Sequence, residues 1–221
     1  MDEIIVLDVE TTGLDPLQDK IVEIALLKIS NGIIVEKLVT LLNPGIPIPK
    51  DAVFIHGITN RMVKNCPFFI DIAQKVFDFI NGKILLVHNA DFDISFIKAD
   101  FDISFIKKEL KLCNMKLPNI KIIDTLTIAR NYFNFPSNSL PKIAEYFNIP
   151  FPDSHRAEAD ALMTYKIYCK MQEELQKRKK GVKMYKESVL DIPKNIDTKT
   201  NKKIKENLWE KILNFLKMIL R

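Results

Sequence analysis

The sequence predicts an α/β protein with a mixed five-stranded sheet flanked by helices and a C-terminal helical extension. Three apolar, β-branched runs come first, and a tight-turn signal joins the second run to the third, which indicates a hairpin. Two further runs follow, and segments with helical periodicity separate them, as is typical of parallel strands. A hairpin combined with parallel crossovers predicts a mixed sheet.

The strands are predicted at residues 4–7, 20–30, 33–42, 84–87 and 120–123. Asn31-Gly32 joins the second strand to the third, and both residue types tolerate the positive φ angles that a type I′ turn requires. Apolar residues recur with helical spacing in the remaining segments. This spacing predicts helices at 69–80, from about 91 onward, and at 125–132, 140–147 and 156–177.

Composition limits the class of protein. Because 47% of the 221 residues are hydrophobic, the chain can bury a large core, and disorder of the whole chain is excluded. The three cysteines are far apart and lack C-x-x-C spacing, which favours free thiols in a reducing cytoplasm; they are Cys66, Cys113 and Cys169. No run of about 18 apolar residues predicts a membrane span, and the acidic start Asp2-Glu3 is unlike a signal peptide. We expect a cytoplasmic protein.

The charge of the chain is unevenly distributed. The net charge is +5, but residues 1–177 carry −3 and residues 178–221 carry +8. We expect a body at 1–177 whose last helix ends at Arg178-Lys179-Lys180-Gly181, a basic linker at 178–203 and an amphipathic helix at 204–221. That C-terminal helix could pack on the body or a partner subunit, attract nucleic acid, or bind a membrane surface.

A nine-residue segment occurs twice in tandem. Residues 90–98 read Ala-Asp-Phe-Asp-Ile-Ser-Phe-Ile-Lys, and residues 99–107 repeat them without a change. Nine residues turn an α-helix by about 900°, which is half a turn more than two full turns. The two copies would therefore face opposite sides of one helix, so we expect one copy to be displaced, frayed or packed unusually.

Acidic and histidine residues cluster at three places. Asp8 and Glu10 alternate at the end of the first strand, so both carboxylates point to one face, and hard oxygen ligands of this kind suit Mg²⁺ or Mn²⁺. His88-Asn89 and the repeat follow the fourth strand. His155 and Asp160 are five residues apart, about 140° around a helix. We therefore expect His155 in a loop and Asp160 on the following helix, both aimed at one place.

Three segments resemble the motifs of the DEDDh group, the DnaQ-like 3′–5′ exonucleases. The resemblance covers residues 1–177 in the correct order, with secondary signatures at 55–59 and 124–125. The motifs read Asp8-Val9-Glu10-Thr11-Thr12-Gly13-Leu14, His88-Asn89-Ala90-x-Phe92-Asp93 and His155-Arg156-Ala157-x-x-Asp160-Ala161.

The resemblance implies a ribonuclease-H-like fold and two-metal hydrolysis that releases 5′-mononucleotides from a 3′ end. It implies that His155 is the general base, since histidine ordinarily titrates near neutral pH. Two Mg²⁺ or Mn²⁺ ions would be held by Asp8, Glu10, Asp93 and Asp160. Substrate would be bound by Thr11, Thr12, Leu14, His56 and Asn89.

The repeat falls on the second motif, so two aspartates compete for one role. Asp93 keeps the direct connection to His88-Asn89, and we predict that it is the third metal ligand. Asp102 is the alternative, because its copy runs directly into Lys108-Glu109, the natural continuation of the helix.

We expect an exodeoxyribonuclease that acts on single-stranded or frayed DNA 3′ ends, in proofreading or repair. A replicative polymerase subunit is one expected partner. The alternatives are an RNA-trimming enzyme of the same group and a non-catalytic module that binds a polymerase or nucleic acid.

Overall fold

The computed structural model describes residues 3–88, 101–151 and 155–190, with the side chains of 181–190 left out. Within these ranges, the chain forms five strands and seven helices, and the first three strands precede every helix. Their bounds are β1 Ile4–Thr11, β2 Ile21–Ser30, β3 Ile33–Leu41, α1 Lys50–His56, α2 Asn60–Val63, α3 Phe69–Ile80, β4 Ile84–Val87, α4 Phe101–Leu112, β5 Lys121–Asp124, α5 Thr125–Tyr132, α6 Leu140–Tyr146 and α7 Ala157–Leu190.

The five strands form one mixed sheet in the order β3-β2-β1-β4-β5. β1 and β2 are antiparallel, as are β2 and β3, whereas β4 runs parallel to both β1 and β5. Asn31 and Gly32 have φ angles of 51° and 82°, so the turn between β2 and β3 has the predicted positive φ values. The predicted mixed five-stranded sheet is confirmed, and β1 is its central strand.

Helices cover both faces of the sheet because its central strands are apolar on both sides. Ile5 and Leu7 of β1 face a core that includes α3 and α4. Val6 faces the opposite side, where Ala157 and Ala161 of α7 pack. α7 therefore lies across β1 and β2 on the face opposite α3 and α4.

Two predictions about helices need correction. α1 and α2 were not predicted, although both exist. The last helix of the body does not end at 178–181, because α7 continues to Leu190. Arg178 helps to hold this part of the helix, since its guanidinium lies 4.7 Å from the centre of the Phe133 ring and its Nη1 donates to the Tyr132 carbonyl. The predicted domain boundary at 177 stays a prediction. The predicted helix at 204–221 is part of residues 191–221, which lie outside the described residues.

Only the second copy of the repeat falls mostly within the described residues. It forms the start of α4, where Ile103 and Ile106 are buried in the core and Phe101 packs against it. The expectation that helix formation begins at about 91 concerns residues outside the described ranges. The apolar residues of the second copy thus pack as the face of an amphipathic helix requires.

Candidate active site

The end of β1 brings the first motif to one edge of the sheet. Asp8 and Glu10 are two residues apart on this strand, so they share a face. On the neighbouring strand, Ala25 is opposite Asp8 and Glu23 is opposite Glu10. The strand register is irregular between Glu10 and Thr11, where the chain leaves the sheet. Both carboxylates are consequently fixed by a rigid central strand.

The loop after β1 is held by its own polar groups. The Thr12 hydroxyl donates to Asp19 Oδ1 at 2.9 Å and accepts from the Lys20 backbone N–H at 3.0 Å. A Cβ at Gly13 would lie 2.5 Å from Asp19 Oδ2, so a larger residue here would have to displace the Asp19 carboxylate from its bond to Thr12. Thr11 and Thr12 are buried, whereas Leu14 is 42% exposed. Of the three, Leu14 is the one whose side chain can contact a ligand in solvent.

His155 and Asp160 approach this edge from α7. The helix begins at Ala157, so His155 precedes it and Asp160 lies in its first turn, which agrees with the predicted geometry. Asp160 Oδ2 accepts a hydrogen bond of 2.9 Å from the His155 backbone N–H. One ligand atom from each of Glu10, His155 and Asp160 lies within 4.8 Å of the other two. Glu10, which is 145 or more positions away from His155 and Asp160 in the sequence, therefore lies close to both in the fold.

Burial and mutual repulsion disfavour ionisation of the carboxyl groups. Desolvation, followed by the charges of Asp102 and Asp160, raises the pKa of Asp8 well above its ordinary range. Desolvation is also the main cause for Glu10, where the pKa rises to about 8, and for Asp160, where it rises to about 7. Such crowding of acids is what bound divalent cations would offset, and oxygen ligands of this type fit Mg²⁺ or Mn²⁺.

These raised pKa values predict that the metal-free protein loses stability as the pH rises. Glu10 has an ordinary pKa of 4.5 and a pKa of about 8 in the folded protein. Between these values the folded state binds more protons than the unfolded state, so the free energy of unfolding decreases with increasing pH. We expect the Tm in EDTA to fall over this range, and Mg²⁺ or Mn²⁺ to reduce the fall. Glu10→Gln should flatten the pH dependence; a Tm in EDTA that rises with pH would contradict the predicted repulsion.

The second motif lies only partly within the described residues. His88 is buried directly after β4, with Nδ1 2.8 Å from the Thr125 hydroxyl and Nε2 3.0 Å from the Asn138 carbonyl. A carbonyl only accepts, so Nε2 carries a proton. The Thr125 hydroxyl also lies 3.0 Å from the Val87 carbonyl, so its single proton serves either that carbonyl or Nδ1. Desolvation lowers the pKa of His88, in keeping with a neutral ring. Asn89 and the predicted ligand Asp93 lie outside the described residues.

Asp102, the alternative to Asp93, is buried in the first turn of α4, with 5% of its surface exposed. Glu109 is seven residues further on, so both acids lie on one face of the helix. Glu109 pairs with Lys20 at 3.3 Å and with Lys108 at 3.1 Å, and Lys108 also donates to the Asp19 carbonyl. This face of α4 is therefore fastened to the loop after β1. The Asp102 charge also contributes to the raised pKa of Glu10.

His56 is buried at the C-terminal end of α1. Its Nδ1 accepts from the Ile58 backbone N–H at 3.0 Å. Its Nε2 has no partner with hydrogen-bond geometry among the residues that the structure describes, although the Thr11 backbone offsets part of the pKa decrease that burial causes. The charges of Glu23, His155 and Arg156 also act on this ring. His56 therefore lies within electrostatic range of Glu23 and His155, and its role in binding substrate stays a prediction.

The sequence analysis missed Glu23. This residue interrupts the apolar strand β2 and is only 3% exposed, yet it carries a carboxylate. Both of its oxygens bind Arg156, with Nη2 at 2.7 Å from Oε1 and Nε at 3.1 Å from Oε2. A charged residue within a buried apolar strand is the signal that could have identified it, because a buried charge needs a partner.

The mixed sheet and the carboxylates at its edge define an α/β nuclease fold, and comparison with known proteins identifies the family. The exonuclease model RNase_T matches residues 5–168. The chain belongs to this exonuclease family and is of the DnaQ-like type, as the three motifs predicted.

Relatives with names from DNA replication match most of the chain. A DNA polymerase III PolC-type protein from Caldanaerobacter subterraneus subsp. tengcongensis is 36% identical over 200 residues, covering 89% of this chain. The chain spans only 13% of that relative's length. A DNA polymerase III subunit epsilon from Buchnera aphidicola subsp. Acyrthosiphon pisum is 32% identical, covering 96% of this chain and 94% of the relative.

Solved exonucleases share the ribonuclease-H-like fold. E. coli exonuclease I in complex with a dT13 oligonucleotide matches with a TM-score of 0.64 and 17% identity, covering 78% of this chain and 41% of that chain. Exonuclease X in complex with 5′ overhanging duplex DNA matches with a TM-score of 0.57 and 24% identity. The match covers 77% of this chain and 91% of that chain. In the described part of the chain, every helix is too short or too polar to cross a membrane.

Proposed function

We propose that this chain is a metal-dependent 3′–5′ exonuclease that releases 5′-mononucleotides from DNA 3′ ends. The observation that carries the proposal is the convergence of Glu10, His155 and Asp160 within 4.8 Å, beside Asp8 on the central strand. Membership of the exonuclease family supports this reading, and the epsilon and PolC-type relatives favour DNA as the substrate.

Asp8, Glu10 and Asp160 would hold two Mg²⁺ or Mn²⁺ ions together with one aspartate of the repeat. When bound there, such ions would supply the charge that activates the attacking water and stabilises the leaving 3′-oxygen. The chain itself supplies fixed carboxylates on β1 and α7, which need no rearrangement to receive cations. Their raised pKa values support this assignment, because a site built for cations is one where the acids repel each other without them.

Asp102 is the aspartate of the repeat that we assign to this site, in place of the predicted Asp93. Asp102 is buried, and its charge acts on both Asp8 and Glu10. The pairing of Glu109 with Lys20 fixes the orientation of the helix face that carries Asp102. A buried carboxylate needs a compensating charge, and bound cations would contribute one.

His155 is the proposed general base. Its side chain is exposed to solvent beside Glu10 and Asp160, so it can take a proton from a water molecule at the site and pass it to bulk solvent. Its backbone is fixed by the hydrogen bond to Asp160, which keeps the ring near the carboxylates. The general base thus combines a rigid backbone with an accessible side chain.

We assign the substrate-binding residues from where they lie in the sequence and in the fold. The backbone groups of Thr11 and Thr12 would bind the terminal 3′-hydroxyl, and the exposed Leu14 would contact the terminal base. His56 would line the nucleotide pocket, and Asn89 stays a prediction. Association with a replicative polymerase is proposed from the epsilon relative, with residues 178–221 as the docking segment.

The decisive experiment compares DNA and RNA strands of equal sequence, each labelled at the 5′ end. We expect ladders that shorten from the 3′ end, faster on DNA, in Mg²⁺ or Mn²⁺ but not in EDTA. Glu158→Gln serves as the control, since Glu158 of α7 has 45% of its side chain exposed and pairs with Lys37. Faster shortening of RNA would overturn the substrate assignment, and absence of metal-dependent cleavage would favour a non-catalytic module.

A further inference from the structure

An ion pair between a buried glutamate and a half-exposed arginine connects β2 to the turn that carries His155. Glu23 accepts hydrogen bonds from two nitrogens of the Arg156 guanidinium, Nε and Nη2. Its Oε2 also accepts from the Ala157 backbone N–H at 3.0 Å. Arg156 reaches Glu23 with half of its side chain still exposed, whereas Glu23 is 3% exposed. Two-pronged pairs of this kind fix direction as well as distance.

Glu23 lies next to the metal-binding edge. Because Glu23 is paired with Glu10 across two antiparallel strands, the two side chains project from the same face of the sheet. The two oxygens of Glu23 nevertheless receive three protein donors. Ala157 is the first residue of α7, and its N–H has no partner within the helix. Glu23 thus caps α7 from the neighbouring strand, where a negative charge is favourable.

The turn before α7 needs such support. His155 has a φ of 65°, in the left-handed region that side chains with a Cβ disfavour. The Asp160 carboxylate holds the backbone of His155, and Glu23 holds the two residues that follow. Without the Arg156 side chain, the turn would keep the backbone bonds of His155 to Asp160 and of Ala157 to Glu23 but would lose the contact between them, which allows its strained conformation to relax.

We propose that Glu23 and Arg156 are positioning residues, which hold His155 and Asp160 in their catalytic arrangement. This inference rests on the proposed nuclease function. It distinguishes Glu23 from the neighbouring metal ligands, since its oxygens are used inside the protein. It also assigns Arg156 to an internal contact, although an exposed arginine beside a nuclease site would otherwise be taken for a phosphate ligand.

The test uses Arg156→Gln, Arg156→Lys and Glu23→Gln in the full chain, with Glu158→Gln as the control. We expect kcat at saturating Mn²⁺ to fall about 10–100-fold in all three variants, as for partners that orient metal ligands. KM for single-stranded DNA and the salt dependence of binding should stay close to those of the parent. The kcat of Arg156→Lys should fall as far as that of Arg156→Gln, because lysine keeps the positive charge but cannot donate from two nitrogens in a plane.

A second readout does not depend on activity. The chain has three histidines, so their ring signals can be followed by NMR in protein labelled at histidine. In metal-free Arg156→Gln, the His155 signals should shift or broaden, while the His88 signals stay in place, because His88 is held by Thr125 and Asn138.

Each alternative role of Glu23 or Arg156 predicts a different experimental result. Recovery of kcat at high Mn²⁺ in Glu23→Gln would identify Glu23 as a metal ligand and overturn the proposal. A raised KM together with a salt dependence reduced by about one phosphate contact in Arg156→Gln would place Arg156 on the substrate. Unchanged kcat and unchanged His155 signals would remove the positioning role. If the parent itself cleaves nothing, the proposed function fails, and the NMR comparison still tests whether the Glu23–Arg156 pair positions His155.

Discussion

Asp102→Ala is expected to lower kcat at least about 100-fold, because a metal ligand contributes no less than the outer groups that orient such ligands. Asp93→Ala is expected to keep most of the activity of the parent. The two aspartates occupy equivalent positions in identical nine-residue segments, so each variant is the matched control of the other. Nuclease rates on single-stranded DNA at saturating Mn²⁺ measure the difference.

The physical reason is the register of α4. Asp102 precedes Glu109 by two helical turns, and Glu109 is fixed by Lys20 and Lys108 against the loop after β1. Asp93 is nine residues earlier, a rotation of about 180° if the helix were continued backwards. In a continuous helix only one of them can face the carboxylates of β1.

Removal of one repeat copy provides a further control. Deleting 90–98 or 99–107 yields the same sequence, because the copies are identical. The remaining aspartate still precedes Glu109 by seven residues, so this variant should stay active and bind Mn²⁺. An inactive Asp93→Ala together with an active Asp102→Ala would refute the assignment and restore Asp93. Loss of activity in both would show that the site needs both carboxylates.

His155→Ala is expected to lower kcat by about 10²–10⁴-fold, the usual contribution of a general base. The ring is exposed and close to Glu10 and Asp160, so its removal should affect proton transfer without disturbing the core. Mn²⁺ affinity, measured by titration, should change little, because the proposed ligands are carboxylates. His88→Ala would be a poor control, since His88 is buried; Glu158→Gln is the appropriate one.

The kcat and the Mn²⁺ affinity of His155→Ala together distinguish a general base from a metal ligand. One of its ring nitrogens lies within 4.8 Å of carboxylate oxygens on Glu10 and Asp160, an arrangement that a metal ligand would also have. A large loss of Mn²⁺ affinity in His155→Ala would therefore identify it as a ligand. Full activity in the variant would contradict both roles. Partial recovery of kcat by added imidazole would support the role as a base.

Elements with local signals were predicted well. The Asn31-Gly32 turn depends on the φ preferences of two adjacent residues, and the structure has both positive values. α3 was predicted because apolar residues recur along one face, and these residues are buried. In both cases the information lies within one element, so the sequence suffices.

Elements that depend on distant partners were missed. α1 and α2 are short, and Ala52 of α1, Val63 of α2 and Ile58 between them pack against Val22 of β2. Short helices are marginal without such packing, so their own sequences do not indicate them. α7 was predicted to end near Gly181, yet it continues to Leu190, because a single glycine lowers helix stability by only about 1 kcal/mol.

The sequence by itself determined the order of the strands and the longer helices and the exonuclease family, because strand alternation, turn residues and motif spacing are properties of neighbouring residues. It predicted Asp93 over Asp102 only from the connection to His88-Asn89, since the identical copies themselves carry identical local information, and that choice stays a prediction. It could not pair Glu23 with Arg156, which are 133 positions apart. Only the tertiary structure brings such residues together, because contacts across a sheet edge depend on how β1, β2, α4 and α7 pack.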